Sequence, residues 1–237
     1  MPSTAAPSPN SEPNKLEPLG RQAYRMLRRA IRGGIIRADR RYSEAELAEL
    51  LGVSRTPVRE ALKALERDGV LEPATRKGYQ LRTFDEAEVA ELVVLRKLLE
   101  RLTVSTLTRQ AQPEDIAQLE AAVERQAEHV DEPEQMLMLD EEFHLLIAAL
   151  AKLGRTRETL AGLRSAMAII LSGTPGARAL SHQVIVEHRK LVAAIADGDP
   201  DRAAAIVEEH IEHATRPLLE VARARRAQTD GLRLTPA

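Results

Sequence analysis

The 237-residue sequence contains no cysteine and no tryptophan, and it has only two phenylalanines and three tyrosines. Without cysteine, disulfides and thiolate metal sites are excluded, which is consistent with a reducing, cytoplasmic location. No apolar run approaches the roughly 20 residues that a membrane-spanning helix needs, so we expect no membrane partner. Residues 1–14 are rich in Pro, Ser and Ala and lack the apolar segment of a signal peptide, and they predict a disordered leader.

The net charge is small, but it is distributed unevenly along the chain. Residues 1–82 contain 16 Lys/Arg and 10 Asp/Glu, a balance of +6, whereas residues 83–237 contain 18 and 26, a balance of −8. A basic segment suits the phosphate contacts of a protein that binds duplex DNA. The acidic remainder is a poor candidate for nucleic-acid contact, so the pattern predicts a second domain with a different role.

Residues 43–68 have the pattern of two short helices joined by a tight turn. Ser43 and Glu46 have the spacing of a capping box, and Gly52 supplies the positive φ that such a turn requires. Ser54 could cap the second helix, and Pro57 falls in its first turn, where a missing N–H costs little. The pattern predicts a helix-turn-helix whose second helix can enter the DNA major groove.

The flanking segments predict that this helix-turn-helix is part of a winged-helix domain. Residues 70–72 and 79–83 alternate as half-buried strands do, and the turn between them, Thr75-Arg76-Lys77-Gly78, is basic. An upstream helix over residues 16–36 would close a small core. Its expected buried residues are Leu19, Ala23, Met26, Leu27, Ala30 and Ile31. A helix pair of this kind can also be an ordinary packing unit, but the wing and the basic charge favour DNA binding.

The candidate DNA contacts lie at the start of the second helix and at the tip of the wing. Arg55 and Arg59 could donate to guanine or phosphate, and Thr56 to phosphate or a thymine methyl group. The alternative for Arg59 is an ion pair within its own helix, for example with Glu66. The full predicted set is Ser54, Arg55, Thr56, Arg59, Lys77 and Gly78.

From residue 85 onward the sequence predicts helix almost throughout, interrupted by a few Gly and Pro positions. The expected inward residues of the first of these helices are Val89, Leu92, Val93, Leu95, Leu99 and Leu102. Short connections favour an antiparallel bundle. Its six predicted helices span about 85–110, 113–130, 133–153, 156–171, 181–196 and 200–225. The fold class is therefore mainly α, and the expected segments are a leader (1–14), a winged helix-turn-helix (15–83), an all-helical domain (84–226) and a tail (227–237).

Three histidines and an aspartate form a second group of candidate functional residues. Asp140 and His144 share one face of a helix at i, i+4, and His188 and His210 lie midway along the last two helices. Together they match the ligand set of a divalent first-row metal such as Zn, Ni or Mn. The spacing alone leaves alternatives open, because an i, i+4 Asp/His pair is common on solvated faces. His213 could also replace His210.

Four stretches resemble the GntR-type bacterial transcription regulators, in the FadR branch with an FCD effector domain. They are LAELLGVSRTPVREALKALERDGVL at 47–71, VLRKLLE at 94–100, DEEFH at 140–144, and EHRKLVAAIADGDPDRAAAIVEEHI at 187–211. Six rather than seven bundle helices look more like the VanR-type subgroup. The resemblance places the family's metal ligands on Asp140, His144, His188 and His210.

The resemblance also implies the function. Arg96, one turn before Glu100, would anchor the carboxylate of a small organic-acid effector, although a plain Arg96–Glu100 surface pair is the alternative. A homodimer would bind a near-palindromic double-stranded operator, as a repressor rather than an enzyme, and the effector would release it. Two other functions remain open: a metal-dependent enzyme acting on small carboxylates, and a regulator whose metal is purely structural.

Overall fold

The structure, a computed structural model, describes residues 18–74, 78–171 and 181–233. The predicted fold class is confirmed: a winged helix-turn-helix precedes a helical domain, and six helices follow residue 84 in the described part of the chain. The first part contains α1 (Leu19–Arg32), β1 (Arg41–Tyr42), α2 (Glu44–Leu51), α3 (Arg55–Arg67), β2 (Leu71–Pro73) and β3 (Tyr79–Leu81). The second contains α4 (Glu86–Thr108), α5 (Pro113–Glu128), α6 (Pro133–Leu150), α7 (Gly154–Leu171), α8 (Ser181–Ala196) and α9 (Pro200–Arg233).

The turn between α2 and α3 follows from local sequence chemistry. The capping box is confirmed, because the Ser43 hydroxyl accepts from the Glu46 N–H and the Glu46 carboxylate accepts from the Ser43 N–H. Gly52 has the expected left-handed conformation, with φ +66°. Ser54 precedes α3 but makes no capping hydrogen bond, contrary to expectation. The physical reason is Pro57, which occupies the third helical position and has no N–H to donate to the cap.

The wing is a three-stranded antiparallel sheet in the order β1-β3-β2. Strand β1 has only two residues, too few to show an alternating pattern, and the sequence did not predict it. Gly78 has φ +127°, and a Cβ there would lie 2.8 Å from the carbonyl oxygen of Tyr42 in β1. Only glycine therefore fits where the wing turn approaches β1. The other predicted wing contact, Lys77, lies outside the described residues.

Two expectations about buried faces are wrong. In α1, Leu19 and Met26 are 64% and 39% exposed, so the buried stripe is narrower than predicted. In α4, Leu95 and Leu102 are exposed rather than inward. The buried stripe of α4 includes Val89 and Val93, as predicted. It continues through Arg96, Glu100, Thr103, Val104, Leu107 and Thr108. Half of these eight residues are polar, so a search for apolar spacing finds the start of the stripe and misses most of the rest.

The helical domain brings its helices around a centre that both buried apolar and buried polar residues line. The last helix, α9, continues through Pro217 and ends at Arg233, eight residues beyond the end that the sequence predicts. Among the described helices, none is long and apolar enough to cross a membrane.

Candidate metal centre

Four potential ligands converge in the middle of the helical domain. Asp140 and His144 come from α6, His188 from α8 and His210 from α9, and one ligand atom of each lies within 4.8 Å of those of the others. The three imidazoles are at most 1% exposed. The sequence placed these residues on three helices, and the fold brings them to one point.

The separations suit a single ion. The Oδ1 atom of Asp140 lies 3.6, 3.5 and 4.0 Å from the Nε2 atoms of His144, His188 and His210. Two ligand atoms that each lie about 2.0–2.2 Å from a common metal are themselves about 3–4 Å apart. Furthermore, the buried Nε2 of His188 has no hydrogen-bond partner. A buried nitrogen without a partner is expected where a metal ion binds.

Each imidazole is oriented by a polar side chain from another helix. The three contacts are His144 Nδ1 to Glu100 Oε2, 2.5 Å; His188 Nδ1 to Gln126 Oε1, 2.7 Å; and His210 Nδ1 to Glu187 Oε2, 2.8 Å. With Nδ1 engaged in this way, the Nε2 atom of every ring is left for the centre. Partners of this kind fix the ring orientation and the tautomer of metal-binding histidines.

The Gln126 side chain illustrates how firmly this arrangement is specified. Its Nε2 group donates to the carbonyl oxygen of Leu139, at 3.1 Å, so its Oε1 atom faces His188. His188 Nδ1 must therefore donate, which leaves Nε2 unprotonated in the neutral ring. Phe143 stacks on the same ring, with centroids 4.2 Å apart. Position and tautomer of His188 are thus both set before any ligand arrives.

The pKa shifts of Asp140 and His188 favour the forms that metal binding requires. Burial raises the pKa of Asp140, but the opposing charge of Arg164 and the contact with His144 outweigh it, so the pKa lies well below its ordinary value. Burial lowers the pKa of His188 well below its usual range, and the neighbouring His210 and His144 lower it further. An ionised carboxylate and neutral imidazoles are the forms that bind metal ions.

Two buried arginines lie beside these ligands. Glu100 Oε1 accepts from Arg96 Nε at 2.6 Å and from Arg164 Nη1 at 3.1 Å, and Arg164 Nη2 also donates to Asp140. The Arg96 and Glu100 side chains are only 6% and 1% exposed, so the alternative of a plain surface pair is wrong. Among the described residues, Arg96 Nη2 and Arg164 Nε have no hydrogen-bond partner, and both atoms are buried. These free N–H groups can bind an anion.

His213 occupies a different position from His210. Its Nδ1 contacts Glu187 Oε1 at 2.7 Å, and its side chain is 32% exposed. Hydrogen bonds from His210, His213 and Gln183 outweigh the burial that raises the pKa of Glu187, and together they lower it to about 2. The group that could hold a metal includes His210 and not His213.

Sequence reasoning missed Arg164, Gln126 and Glu187. The signal for Gln126 is its place in α5, where it continues the buried series Leu119, Ala122 and Val123. Arg164 similarly interrupts a buried stretch of α7 that continues through Ala166 and Met167. A polar side chain at a position whose spacing predicts burial was the available indication in both cases.

The predicted DNA-reading residues gather at the other end of the molecule. Ser54, Arg55, Thr56 and Arg59 are all exposed at the start of α3. Arg59 pairs across the turn with Glu44 of α2, with Nη2 to Oε2 at 2.8 Å, rather than with Glu66 of its own helix.

Sequence comparison identifies the family to which this architecture belongs. Residues 91–213, more than half of the chain, match the FCD domain, and residues 19–81 match the bacterial regulatory proteins of the gntR family. The chain is a member of the GntR family with an FCD domain. Its helix-turn-helix therefore belongs to a family of DNA-binding transcription regulators.

Individual relatives agree with this membership. The Nta operon transcriptional regulator of Aminobacter aminovorans is 32% identical over 188 residues, which cover 79% of this chain and 88% of the relative. The HTH-type transcriptional regulator YdhC of Bacillus subtilis (strain 168) is 27% identical over 205 residues, which cover 84% of this chain and 91% of the relative. The structure of E. coli McbR/YncC superposes with a TM-score of 0.76 at 23% identity, covering 86% and 99% of the two chains. That likeness supports the fold of this GntR-family member.

We expect Zn²⁺, Ni²⁺ or Mn²⁺ to raise the melting temperature of the chelator-treated protein, because an ion that binds only the folded state stabilises it. At a free concentration of about 100 Kd the gain is about 2.7 kcal/mol, or roughly 5–10 °C. Replacing His144, His188 or His210 with Gln should abolish this shift in differential scanning fluorimetry.

His213→Gln is the matched control, because it removes an imidazole from the Glu187 network without removing a candidate ligand. It should keep the metal-induced shift. If His213→Gln lost the metal-induced shift and His210→Gln kept it, His213 rather than His210 would be the metal ligand.

Proposed function

We propose that this protein is a transcription regulator whose operator binding is controlled by a small carboxylate bound at a metal site in the helical domain. The observation that carries the proposal is the pair of buried arginines, Arg96 and Arg164, whose free N–H groups lie beside the Asp/His₃ cluster. We further infer that it belongs to the FadR branch and, from its six described bundle helices, to the VanR-type subgroup.

The ligand set fits a divalent first-row ion held by Asp140, His144, His188 and His210. When bound, such an ion would supply two positive charges and open coordination positions for an oxygen ligand. The chain's own residues position the site: Arg164 holds the Oδ2 atom of Asp140, which leaves Oδ1 facing the three imidazoles.

The charge balance of the centre favours an anionic effector. Glu100, Asp140 and Glu187 are kept ionised, as their lowered pKa values indicate. Glu100 and Asp140 contact the guanidinium groups of Arg96 and Arg164, whereas Glu187 contacts His210. These three carboxylates and two guanidinium groups sum to −1, and a divalent cation brings the sum to +1. One carboxylate would restore neutrality, and its oxygens match the forked donors of arginine.

The DNA-facing end is arranged for groove recognition. Arg55, Thr56 and Arg59 are exposed at the start of α3, the end of a recognition helix that contacts base edges. Because Arg59 is held by Glu44 in the free protein, DNA binding must exchange this carboxylate for a phosphate or a guanine. Ser54 and Gly78 would make the flanking backbone contacts, together with Lys77.

A homodimer would present two such helices to a near-palindromic operator. The helix α4 carries an exposed apolar stripe suited to a self-complementary contact, formed by Val94, Leu95, Leu98 and Leu102, which are 39–60% exposed. Clustered exposed apolar residues mark interaction sites. Ion pairs from Lys97 and Arg101 to α9 hold the helix in place beside this stripe.

Arg59→Ala should weaken binding to the preferred duplex, selected in vitro from a random pool by the wild-type protein. A lost base or phosphate contact of this kind costs on the order of 1–3 kcal/mol, or about 5- to 150-fold in Kd. Fluorescence anisotropy measures the change. Arg189→Ala is the control, since Arg189 forms a comparable exposed pair with Glu124 far from α3. Equal Kd values for Arg59→Ala and wild type would remove Arg59 from the interface.

A carboxylate screen tests the effector site. Acetate, lactate, succinate and related acids are added to the Zn²⁺-loaded protein, and we expect at least one to raise the melting temperature further and to change DNA affinity. Arg164→Lys should keep the Zn²⁺ shift but lose the carboxylate shift, because lysine lacks the forked donors. A protein stabilised by Zn²⁺ but indifferent to every carboxylate would instead favour a structural metal.

Leu98→Asp should convert the dimer to a monomer, because it places a charge at the centre of the apolar stripe. Light scattering coupled to size-exclusion chromatography reports the mass. Val186→Asp provides the control, since Val186 is an exposed apolar residue of α8 outside the stripe. An unchanged dimer mass for Leu98→Asp would place the dimer contact elsewhere.

A further inference from the structure

The winged helix and the helical domain are joined by a half-buried ion pair. Nη2 of Arg28, on α1, lies 2.6 Å from Oε1 and 2.8 Å from Oε2 of Glu141, on α6. The two side chains are only 16% and 9% exposed. An ion pair with this little solvent around it is sensitive to small changes in geometry, because little water is at hand to replace a lost contact between the two charges.

Glu141 directly follows Asp140, the only carboxylate of the candidate metal centre. Consecutive residues of an α-helix point about 100° apart, so α6 presents one carboxylate to the centre and the next to α1. Any rotation or shift of this turn that accompanies a change of partner at Asp140 also moves Glu141. The two contacts therefore share one rigid element.

Helix α7 repeats this arrangement. Arg164 faces the centre through its contacts with Asp140 and Glu100, and the next residue, Ser165, lies beside Tyr24 of α1, a helix that packs against α7. Two neighbouring helices thus each carry a residue of the centre followed by a residue that contacts the winged helix. Arg164 is also one of the two buried arginines that have an N–H group without a hydrogen-bond partner among the described residues. An anion that binds this group therefore acts on the same turn of α7.

On the DNA-binding side, α1 continues the connection to the recognition helix. The Tyr24 hydroxyl donates to Asp68, the residue that caps the C-terminal end of α3. Arg28 lies one turn further along α1, and its guanidinium stands 5.6 Å from the centre of the Tyr24 ring. Through α1, the end of α3 is fixed to both α6 and α7.

We propose that the Arg28–Glu141 pair transmits the state of the metal and carboxylate site to the DNA-binding domain. The proposal rests on the function inferred above. Glu141 and Arg28 are positioning residues: neither is one of the four candidate ligands or one of the predicted DNA contacts, and they hold α1 in the position that one state of α6 prefers. Coupling between two sites requires such an element, whose contacts differ between the states.

The test compares DNA affinity with and without ligand, in full-length variants. The DNA is the duplex selected in vitro by the wild-type protein, and the ligands are Zn²⁺ alone and Zn²⁺ with the carboxylate that stabilises it most. Couplings between sites typically change affinity about 5- to 150-fold. In Glu141→Gln, the ligand-induced change in DNA affinity should fall to less than about twofold. The increases in melting temperature caused by the two ligands should keep their wild-type size.

Two further variants sharpen the result. Arg28→Gln removes the partner on the DNA-binding side and should reduce the ligand-induced change in DNA affinity as Glu141→Gln does. The double variant should reduce that change no further than either single variant. Glu142→Gln, at the neighbouring exposed position, is the matched control and should keep the full factor.

The failures are distinguishable. A wild-type protein whose DNA affinity ignores both ligands overturns the proposed function and this proposal together. A responsive wild type with an equally responsive Glu141→Gln overturns this proposal alone. Loss of the Zn²⁺ melting shift in Glu141→Gln also overturns it, because Glu141 would then support the ligand site itself. Additive losses in the double variant would show that the two residues act separately.

Discussion

A single buried carboxylate, that of Glu100, organises the interior of the helical domain. It contacts His144 on α6, Arg96 on its own helix and Arg164 on α7. Burial raises its pKa, but the charge of Arg96, the contact with His144 and the charge of Arg164 outweigh burial and keep the pKa well below the usual range. Without Glu100, Arg96 would lose the carboxylate it pairs with and Arg164 would keep only Asp140. A buried charge that loses its partner in this way costs several kcal/mol.

The same carboxylate links the two halves of the ligand site. On one side it orients an imidazole toward the metal position, and on the other it holds the two arginines whose remaining N–H groups are free. The candidate metal and anion positions therefore share one counter-ion. Occupation of either would change the balance of forces on α4, α6 and α7, and the last two of these helices also contact α1. The proposed regulation would use this shared network as its physical route from ligand to DNA.

Much of this molecule could be predicted from short-range patterns. The capping box at Ser43, the left-handed Gly52 and the six bundle helices depend on nearby residues, and the structure agrees. Errors arose where buried positions carry polar residues and exposed positions carry apolar ones. In α4 the inward face carries Arg96 and Glu100, so the apolar criterion wrongly selected Leu95 and Leu102, which are exposed. In α3 a proline removed the N–H that Ser54 would have capped.

By itself, the sequence determined the order of the helices and of strands β2 and β3, because these depend on residue type and local spacing. It also gave the four candidate ligands, through the resemblance of the motifs around them to the FCD family. Only the tertiary structure decided which groups meet. It brought Gln126 and Glu187 behind the imidazoles and Arg164 onto Asp140, and it joined Glu141 to Arg28 across 113 positions of chain. Such contacts depend on how helices pack, and no local pattern in the sequence records the side of a helix that a distant partner will face.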